Sequence, residues 1–178
     1  MRRITLIVIA AGVVGFLFIQ DIQLDRQLSI RTDFSGATPY FSALGPPTRV
    51  EREGEANRFF AEPVYFDLRL PRWFSEAEVK FRWRADDLPD PKIGVALEPS
   101  DDNIQGRFTL FDTKRVSEED GFVVSETTLP IASLPRTRYG VRVFFSVPGV
   151  SREIPFFVES VAVVARRKSL IEELRRIL

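Results

Sequence analysis

Residues 62–84, EPVYFDLRLPRWFSEAEVKFRWR, determine the fold class, because two segments within them alternate apolar and polar side chains almost without exception. The first segment covers residues 64–70 and the second covers residues 78–84. A period of two places successive side chains on opposite faces of an extended backbone, so each segment predicts a strand buried on one face. Pro71 ends the first strand because it has no N–H to donate to a neighbouring strand.

The same alternation recurs along most of the chain. It predicts further strands at residues 27–32, 48–53, 92–97, 107–111, 121–129, 139–147 and 153–165, and residues 56–60 lead into the opening segment. In the last of these the apolar phase shifts near Glu159 and Ser160, which indicates a β-bulge. Turn-forming sequences, among them SEEDG at residues 117–121, separate the strands. Such strands predict an all-β chain whose two antiparallel sheets form a β-sandwich of the jelly-roll type.

The composition supports this architecture and limits the chemistry. The chain has 178 residues, of which 44% are hydrophobic, and it contains 16 Phe, so it can build one aromatic core. It has neither Cys nor His, which excludes disulfides, thiolate metal sites, His-based triads and His-ligated metals. We therefore expect no metal and no cofactor. The formal net charge is zero, so bulk binding of nucleic acid is not indicated.

The amino-terminal sequence MRRITLIVIAAGVVGFLFIQ predicts a signal-anchor, a transmembrane segment that is not removed. Its apolar run, residues 4–19, would span about 24 Å as a helix, close to the roughly 30 Å of a bilayer core. A cleaved signal peptide is the alternative, but no A-x-A pattern follows the run. Arg2 and Arg3 before the run place the amino terminus in the cytoplasm. We expect a single-pass protein of the cell membrane whose remaining residues are extracytoplasmic.

The carboxyl-terminal sequence predicts a short amphipathic helix. Ser169 and Glu172 form a capping box, and apolar residues recur at helical spacing after them. A helix this short needs a surface to pack on, and we expect it to dock on its own sandwich, with a partner protein or the membrane surface as alternatives. The predicted segments are an anchor at 1–20, a linker with the first strand at 21–47, the β-sandwich at 48–165 and this helix at 166–178.

The outward side of the first two strands suggests a binding surface. Tyr65, Asp67 and Arg69 on one strand would join Lys80, Arg82 and Arg84 on the next if the two strands pair, and Arg142 and Phe144 could extend the patch. Tyr can stack on sugar rings, and Arg can bind acidic sugars or phosphodiesters. The simpler interpretation is an ordinary solvated sheet on which Asp67 offsets its basic neighbours.

The turn between these strands adds Arg72, Trp73 and Phe74 as candidates for an exposed contact. For Trp73 we favour a position tucked under the edge of the sandwich. The predicted ligand-binding residues are Tyr65, Arg69, Arg72, Trp73, Arg82 and Arg142.

No catalytic motif accompanies these candidates. The sequence has no glycine-rich phosphate loop and no G-x-S-x-G nucleophile elbow. Its carboxylate pairs, such as Asp86 with Asp87, lie in hydrophilic turns rather than across a predicted cleft. Asp101, Asp102 and Asn103 offer oxygens that Ca²⁺ prefers, but without the spacing of an EF-hand. We expect no catalytic residues.

The strand rhythm of residues 58–166, which ends in FFVESVAVVARR, resembles that of the galactose-binding-like jelly rolls used as carbohydrate-binding modules. The string EPVYFDLRLPRWF is similar to sequences of uncharacterised, membrane-anchored bacterial β-sandwich proteins. The resemblance implies a jelly-roll fold and an envelope glycan as partner, and it transfers no site residues.

Three hypotheses for the function follow from these features. The first is a non-catalytic, membrane-anchored β-sandwich that binds or scaffolds a cell-envelope partner, either a glycan or a membrane protein. The second is a structural subunit of an envelope or secretion assembly, which the carboxyl-terminal helix suggests. The third is a carboxylate-based enzyme acting on glycans, which the turn positions of the carboxylates make the weakest.

Overall fold

A computed structural model describes residues 27–97, 107–136 and 140–167, together with Gly12. These residues form eleven strands and two short 3-10 helices, Pro47–Arg49 and Ile131–Ser133. The strands are β1 (Gln27–Thr32), β2 (Val50–Glu53), β3 (Ala56–Phe59), β4 (Val64–Leu68), β5 (Glu76–Ala85), β6 (Lys92–Ala96), β7 (Phe108–Phe111), β8 (Lys114–Glu119), β9 (Phe122–Leu129), β10 (Val141–Ser146) and β11 (Phe156–Arg166).

The strands form two antiparallel sheets. A seven-stranded sheet has the order β2-β3-β11-β5-β9-β8, with β1 paired to β11, and a four-stranded sheet has the order β4-β10-β6-β7. The prediction of an all-β chain with two antiparallel sheets, consistent with a β-sandwich, is confirmed.

The two strands of the opening sequence lie in different sheets. β4 pairs with β10 in the four-stranded sheet, whereas β5 pairs with β11 and β9 in the seven-stranded sheet. Pro71 ends the first run, and the connection to Glu76 carries the chain from one layer to the other, with Leu70 and Phe74 buried on the way. The pairing that a shared polar patch required is therefore absent, although both strands turn their predicted apolar faces inward.

Aromatic rings fill the space between the sheets. Phe145 of β10 lies among four of them, with ring centroids 5.5 Å from Phe59, 6.0 Å from Phe66, 5.4 Å from Phe81 and 6.4 Å from Phe156. Trp83 stacks on Phe156 at 5.4 Å, and its indole N–H donates to Ser125 Oγ at 2.9 Å. Tilted and edge-on contacts of this kind stabilise a core beyond the burial of apolar area.

β11 organises the seven-stranded sheet. It pairs along one edge with β5, and along its other edge first with β3 and then with β1. The register shifts between Val158 and Ser160, where the sequence predicted a bulge. β11 extends far beyond β3, and β1 fills the edge that β3 leaves open. The sandwich thus includes residues 27–32, which the sequence analysis had grouped with the linker at 21–47.

Two further local predictions need correction. Residues 114–119 form the edge strand β8, which pairs with β9, so the predicted turn of residues 117–121 shrinks to Asp120 and Gly121. A charged hairpin edge of this kind has little apolar periodicity, and the alternation therefore missed it. At residues 107–111 the alternation grouped Phe108 with Leu110, but this pair faces outward from the sandwich.

Both terminal predictions fall largely outside the described residues. The predicted anchor at 1–20 does so apart from Gly12, and the predicted helix at 166–178 does so from residue 168 onward. Arg166 belongs to β11, because it pairs with Gln27 and Glu76, so that helix cannot begin at 166. Within the described residues, no helix has the length and apolar character needed to cross a membrane.

Candidate functional site

The six predicted site residues lie in three places. Tyr65 and Arg142 belong to the four-stranded sheet and meet on its outer face, and Arg69 lies just after the end of β4. Arg72 and Trp73 lie in the turn between the sheets. Arg82 lies on the outer face of the seven-stranded sheet and shares no surface with Tyr65.

Arg142 and Asp67 form a buried ion pair. Nε of Arg142 lies 3.0 Å from Oδ1 of Asp67, and Nη2 lies 3.4 Å from Oδ2. Both residues are only 6% exposed. The guanidinium also lies 4.6 Å from the centroid of the Tyr65 ring. The antiparallel register of β4 and β10 produces this arrangement by placing Arg142 directly opposite Asp67.

The segment at residues 40–45 covers this cluster from the edge of β4. Gly45 exchanges two backbone hydrogen bonds of 2.8 Å with Tyr65, and the N–H of Asp67 donates to Ser42 Oγ at 2.8 Å. A Cβ at Gly45 would lie 3.1 Å from the Tyr65 ring, a tight contact that the ring would have to shift to relieve. The cluster serves the fold, and its predicted role in ligand binding gains no support from this geometry.

Arg82 is likewise held by its neighbours. Its Nη1 lies 3.0 Å from Oε2 of Glu159, and its Nη2 donates to the backbone oxygen of Glu119 at 3.1 Å. The guanidinium lies 5.3 Å from the centroid of Phe122, which also contacts Arg84 at 5.1 Å. On this sheet the arginines hold the surface together by ion pairing and ring stacking.

A charge network continues along the same outer face. Lys80 lies 2.9 Å from Glu78 and 3.2 Å from Glu126, and Arg166 lies 2.8 Å from Glu78. The hydrogen bond from Lys80 in the first place, and then the charges of Lys80 and Arg166, lower the pKa of Glu78 below its ordinary value of 4.5. The network links β9, β5 and β11 in register across the sheet.

Replacement of Glu78 with glutamine tests this network. A carboxylate with a lowered pKa adds stability above its ordinary pKa, and that stability is lost as the pH falls through the folded pKa. We expect Glu78→Gln to lower the free energy of unfolding at neutral pH by up to about 1 kcal/mol, since the network is partly exposed. The deficit should vanish in acid. Urea unfolding at both pH values measures it, with the exposed turn residue Glu55→Gln as the control. An equal deficit at both pH values would refute the ionic origin.

Trp73 is exposed, which corrects the predicted tucked position. Its exposed fraction is 62%, the highest among the exposed large hydrophobic side chains of the described residues. Phe74 instead points inward and is 5% exposed, in the turn that crosses between the sheets. Arg72 beside it is also exposed. Arg72 and Trp73 are thus accessible, as a predicted exposed contact requires.

The edge strand β7 presents a second apolar surface, which the sequence analysis missed. Phe108 is 51% exposed and Leu110 is 41% exposed, both on the outer face of the four-stranded sheet. Phe108 packs edge-on against Phe144 at 5.6 Å, and the Phe144 ring covers Gly94, where a side chain would clash at 2.0 Å. The signal in the sequence was that FTLF has apolar residues in both phases, Phe108 and Leu110 in one and Phe111 in the other, so neither face of the strand is wholly polar.

The other edge strands of the described chain are protected. β2 reads VERE and β8 reads KRVSEE, and β8 also carries a register shift at Val116. β4 is covered by residues 40–45, and β1 turns Gln27, Ser29 and Arg31 outward. Charges, bulges and coverings of this kind prevent a sheet from pairing with other chains. β7 has no charged residue, and within the described ranges it pairs only with β6.

Other features offer less to a ligand. A shallow cleft of about 400 Å³ is lined by residues 31–33 and 35–38. Its carboxylate, Asp33, accepts hydrogen bonds from Ser35 and pairs with Arg52. Within the described ranges, no group of three acidic side chains is arranged to hold a metal ion.

Comparison of the chain with protein-family models, with curated proteins and with solved structures gives no match. The resemblance to carbohydrate-binding jelly rolls stays a prediction. The candidate site is therefore defined by the geometry of this chain, and its strongest feature is the unprotected apolar edge at β7.

Proposed function

We propose that the chain is a non-catalytic, membrane-anchored β-sandwich that binds an extended segment of a cell-envelope protein along β7. The observation that carries the proposal is the contrast between edges. Among residues 27–97, 107–136 and 140–167, β7 pairs only with β6 and exposes Phe108 and Leu110, whereas the other edge strands described are charged or covered. An unprotected edge of this kind accepts a strand from another chain.

The chemistry of β7 suits such a partner. Backbone N–H and C=O groups of an edge strand can bond to any extended peptide, so they supply affinity without reading its sequence. Selectivity then comes from side chains, and Phe108, Leu110 and Phe144 offer an apolar surface for alternate residues of the added strand. A glycan is less suited, because it needs exposed polar groups beside the rings, and Tyr65 and Arg142 are packed against each other.

The order of the strands supports a jelly-roll assignment within this proposal. Four strands of the larger sheet run β3-β11-β5-β9, and the smaller sheet runs β4-β10-β6-β7. Strands that follow each other in the chain thus fall alternately into the two sheets over β3 to β6, as in a folded-over pair of Greek keys. β1, β2 and β8 are then additions at the margins of the larger sheet.

The membrane anchor of the proposal is supported by the sequence at residues 1–20. Its uninterrupted apolar run and the arginines before it fit a single span with the sandwich outside the cytoplasm. The predicted carboxyl-terminal helix would dock on this sandwich. A structural subunit of an envelope assembly, the second hypothesis, would use the same edge, so the test of β7 applies to both.

Site-specific photocrosslinking in cells tests the proposal. A photoreactive phenylalanine analogue is placed at position 110 in one protein and at position 116 in another. Position 116 is the matched control, because Val116 is 50% exposed on the protected edge strand β8. We expect one defined protein adduct from position 110 in the membrane fraction and none from position 116. Equal adducts from both positions, or none from position 110, would contradict binding at β7.

Charge substitutions at the two edges provide a quantitative prediction. We expect Leu110→Lys to weaken binding of the crosslinked partner at least about 10-fold, because a buried, unpaired charge opposes strand addition. Val116→Lys should leave the affinity unchanged. Thermal unfolding of both variants should match the parent within a few degrees, since both side chains are already exposed. Unchanged affinity of a folded Leu110→Lys protein would refute the role of β7.

A further inference from the structure

The first strand begins and the last strand ends at the same end of the sandwich. Gln27 starts β1 directly opposite Arg166, the last residue of β11. The turn before β5 is fixed at the same place, because the N–H of Ser75 donates to the backbone oxygen of Arg166 at 2.9 Å. The segment after β9 joins it through the N–H of Ala132, which donates to the oxygen of Ser75 at 3.1 Å. We call this end, with residues 69–76, 130–136 and 166–167, the tethered end.

The tethered end is basic and the opposite end is acidic. The arginines at the tethered end are Arg69, Arg72, Arg136, Arg166 and Arg167. The turns at the opposite end carry Asp86, Asp87, Asp90, Glu119, Asp120 and Glu153. Glu76 and Glu78 offset part of the positive charge, and Arg166 pairs with Glu78. Lys92 and Arg152 offset part of the negative charge at the opposite end, so the asymmetry is an excess of arginine over carboxylate at the tethered end and the reverse at the other.

The basic groups are held in place by the backbone. Nη1 of Arg136 donates to the backbone oxygen of Leu70 at 3.0 Å, which ties the segment after β9 to the turn between the sheets. Burial, and then the charge of Arg72, lower the pKa of the Arg136 guanidinium, so two positive charges lie close together there. Arg72 itself has no ion pair within the described chain.

Trp73 projects from this basic surface. It is 62% exposed, while the neighbouring Phe74 is buried with its ring centroid 6.4 Å away. The N–H of Phe74 donates to the backbone oxygen of Pro71 at 3.3 Å, which closes the turn under the indole. A rigidly mounted Trp amid arginines has the character of a membrane-interface anchor, since its ring is apolar and its N–H is polar.

We propose that the tethered end rests on anionic lipid headgroups, with Trp73 at the interface and the arginines against the phosphates. The inference rests on the proposed anchoring of residues 4–19. Residues 20–26 lie between that span and Gln27, and even fully extended they reach only about 25 Å. The end that is joined to the anchor is thus the end whose charge and exposed indole match an anionic membrane surface.

Contact of the tethered end with the membrane leaves β7 accessible. The strands run from this end toward the opposite one, and β7 lies along a lateral edge of the four-stranded sheet. The connection between β6 and β7 also joins strand ends at the tethered end. Its sequence contains the acidic residues Glu98, Asp101 and Asp102, which lie outside the described residues. Because these charges would oppose binding to anionic lipid, the experiment compares neutral with anionic lipid.

Tryptophan quenching in the full-length chain tests the inference. The chain is reconstituted into nanodiscs of phosphatidylcholine, alone or mixed with phosphatidylglycerol, that contain a lipid with a shallow nitroxide. The chain has two Trp, and Trp83 is only 2% exposed, so it serves as an internal reference. We expect strong quenching in the anionic discs, weaker quenching in the neutral discs, and loss of the quenched component in Trp73→Phe.

Charge reversal separates the arginines from a general charge effect. Arg72→Glu should reduce the quenching in anionic discs, whereas Arg152→Glu, at the opposite end, should not. Absence of quenching in an inserted chain, or equal quenching in the two lipids, would overturn the inference while leaving the anchor intact. A chain that alkaline carbonate extracts from the discs would contradict the proposed anchoring instead. Such a chain is then mixed with preformed anionic vesicles, where quenching supports the inference and its absence overturns it.

Discussion

Replacement of Asp67 with alanine is expected to lower the free energy of unfolding by about 3–5 kcal/mol. The substitution removes the carboxylate that contacts two nitrogens of the Arg142 guanidinium, which is 6% exposed. Removing one member of a buried ion pair costs far more than the pair contributes, because the solvation that the remaining charge lost is less well compensated. Chemical denaturation of the full chain, followed by the emission of the buried Trp83, measures the change.

Two comparisons make this result specific. Asp112→Ala breaks the exposed pair with Lys92, whose side chains are 86% and 51% exposed, and should change stability by under about 1 kcal/mol. Asp67→Leu combined with Arg142→Met should recover most of the loss, because apolar residues of similar volume can replace a buried pair. A small effect of Asp67→Ala, comparable to that of Asp112→Ala, would show that the outer face of the four-stranded sheet is open to water.

Replacement of Phe145 with alanine is expected to cost about 3–5 kcal/mol, the range for truncating a fully buried aromatic residue. Phe145 is 1% exposed and touches rings from both sheets, so its loss leaves a cavity that rigid neighbours cannot fill. Urea unfolding measures the change in midpoint at constant slope.

Phe157→Ala is the matched control for this core prediction. Phe157 is partly exposed on the outer face of the seven-stranded sheet, where its ring contacts Arg84. We expect it to cost under half as much as Phe145→Ala, since water replaces the lost contacts. Equal losses for the two variants would contradict a core formed by the facing sides of the two sheets.

The alternation of side chains predicted the faces of strands far better than their partners. Residues 64–70 and 78–84 turn the expected side chains inward, and the bulge at Val158 to Ser160 appears where the apolar phase shifts. Periodicity is a local property of extended backbone, so it reports which side of a strand is buried. It carries no information about which sheet a strand joins. The alternation in residues 62–84 therefore could not tell whether β4 and β5 pair with each other.

The candidate site depended on this missing information about strand pairing. Tyr65 and Arg142 are in contact, as an outward patch required, but residues 40–45 cover them from a segment that reads only as loop. The outward position of Phe108 and Leu110 depends on β7 being an edge, which pairing alone establishes. The predicted position of Trp73 was wrong because Phe74, the next residue along the chain, is the buried ring of this turn.

In the proposed arrangement the sandwich makes two separate contacts. We propose that its tethered end faces the membrane with Trp73 and the arginines, and that its β7 edge stays accessible along the side for a partner strand. The buried pair of Arg142 and Asp67 stiffens β4 and β10, and β6 then joins β10 to β7. This arrangement of strands suits a domain that presents one recognition edge close to the bilayer surface.

Hydrogen exchange at β7 is the most direct test of the central claim, that this edge binds a partner strand in the envelope. The full chain is labelled in native membranes and, separately, after purification into nanodiscs, and peptides covering residues 108–111 are compared with peptides covering β4. The account predicts slower exchange of β7 amides in native membranes and unchanged exchange in β4, whose edge is already covered. Identical exchange of β7 in both settings would contradict the account.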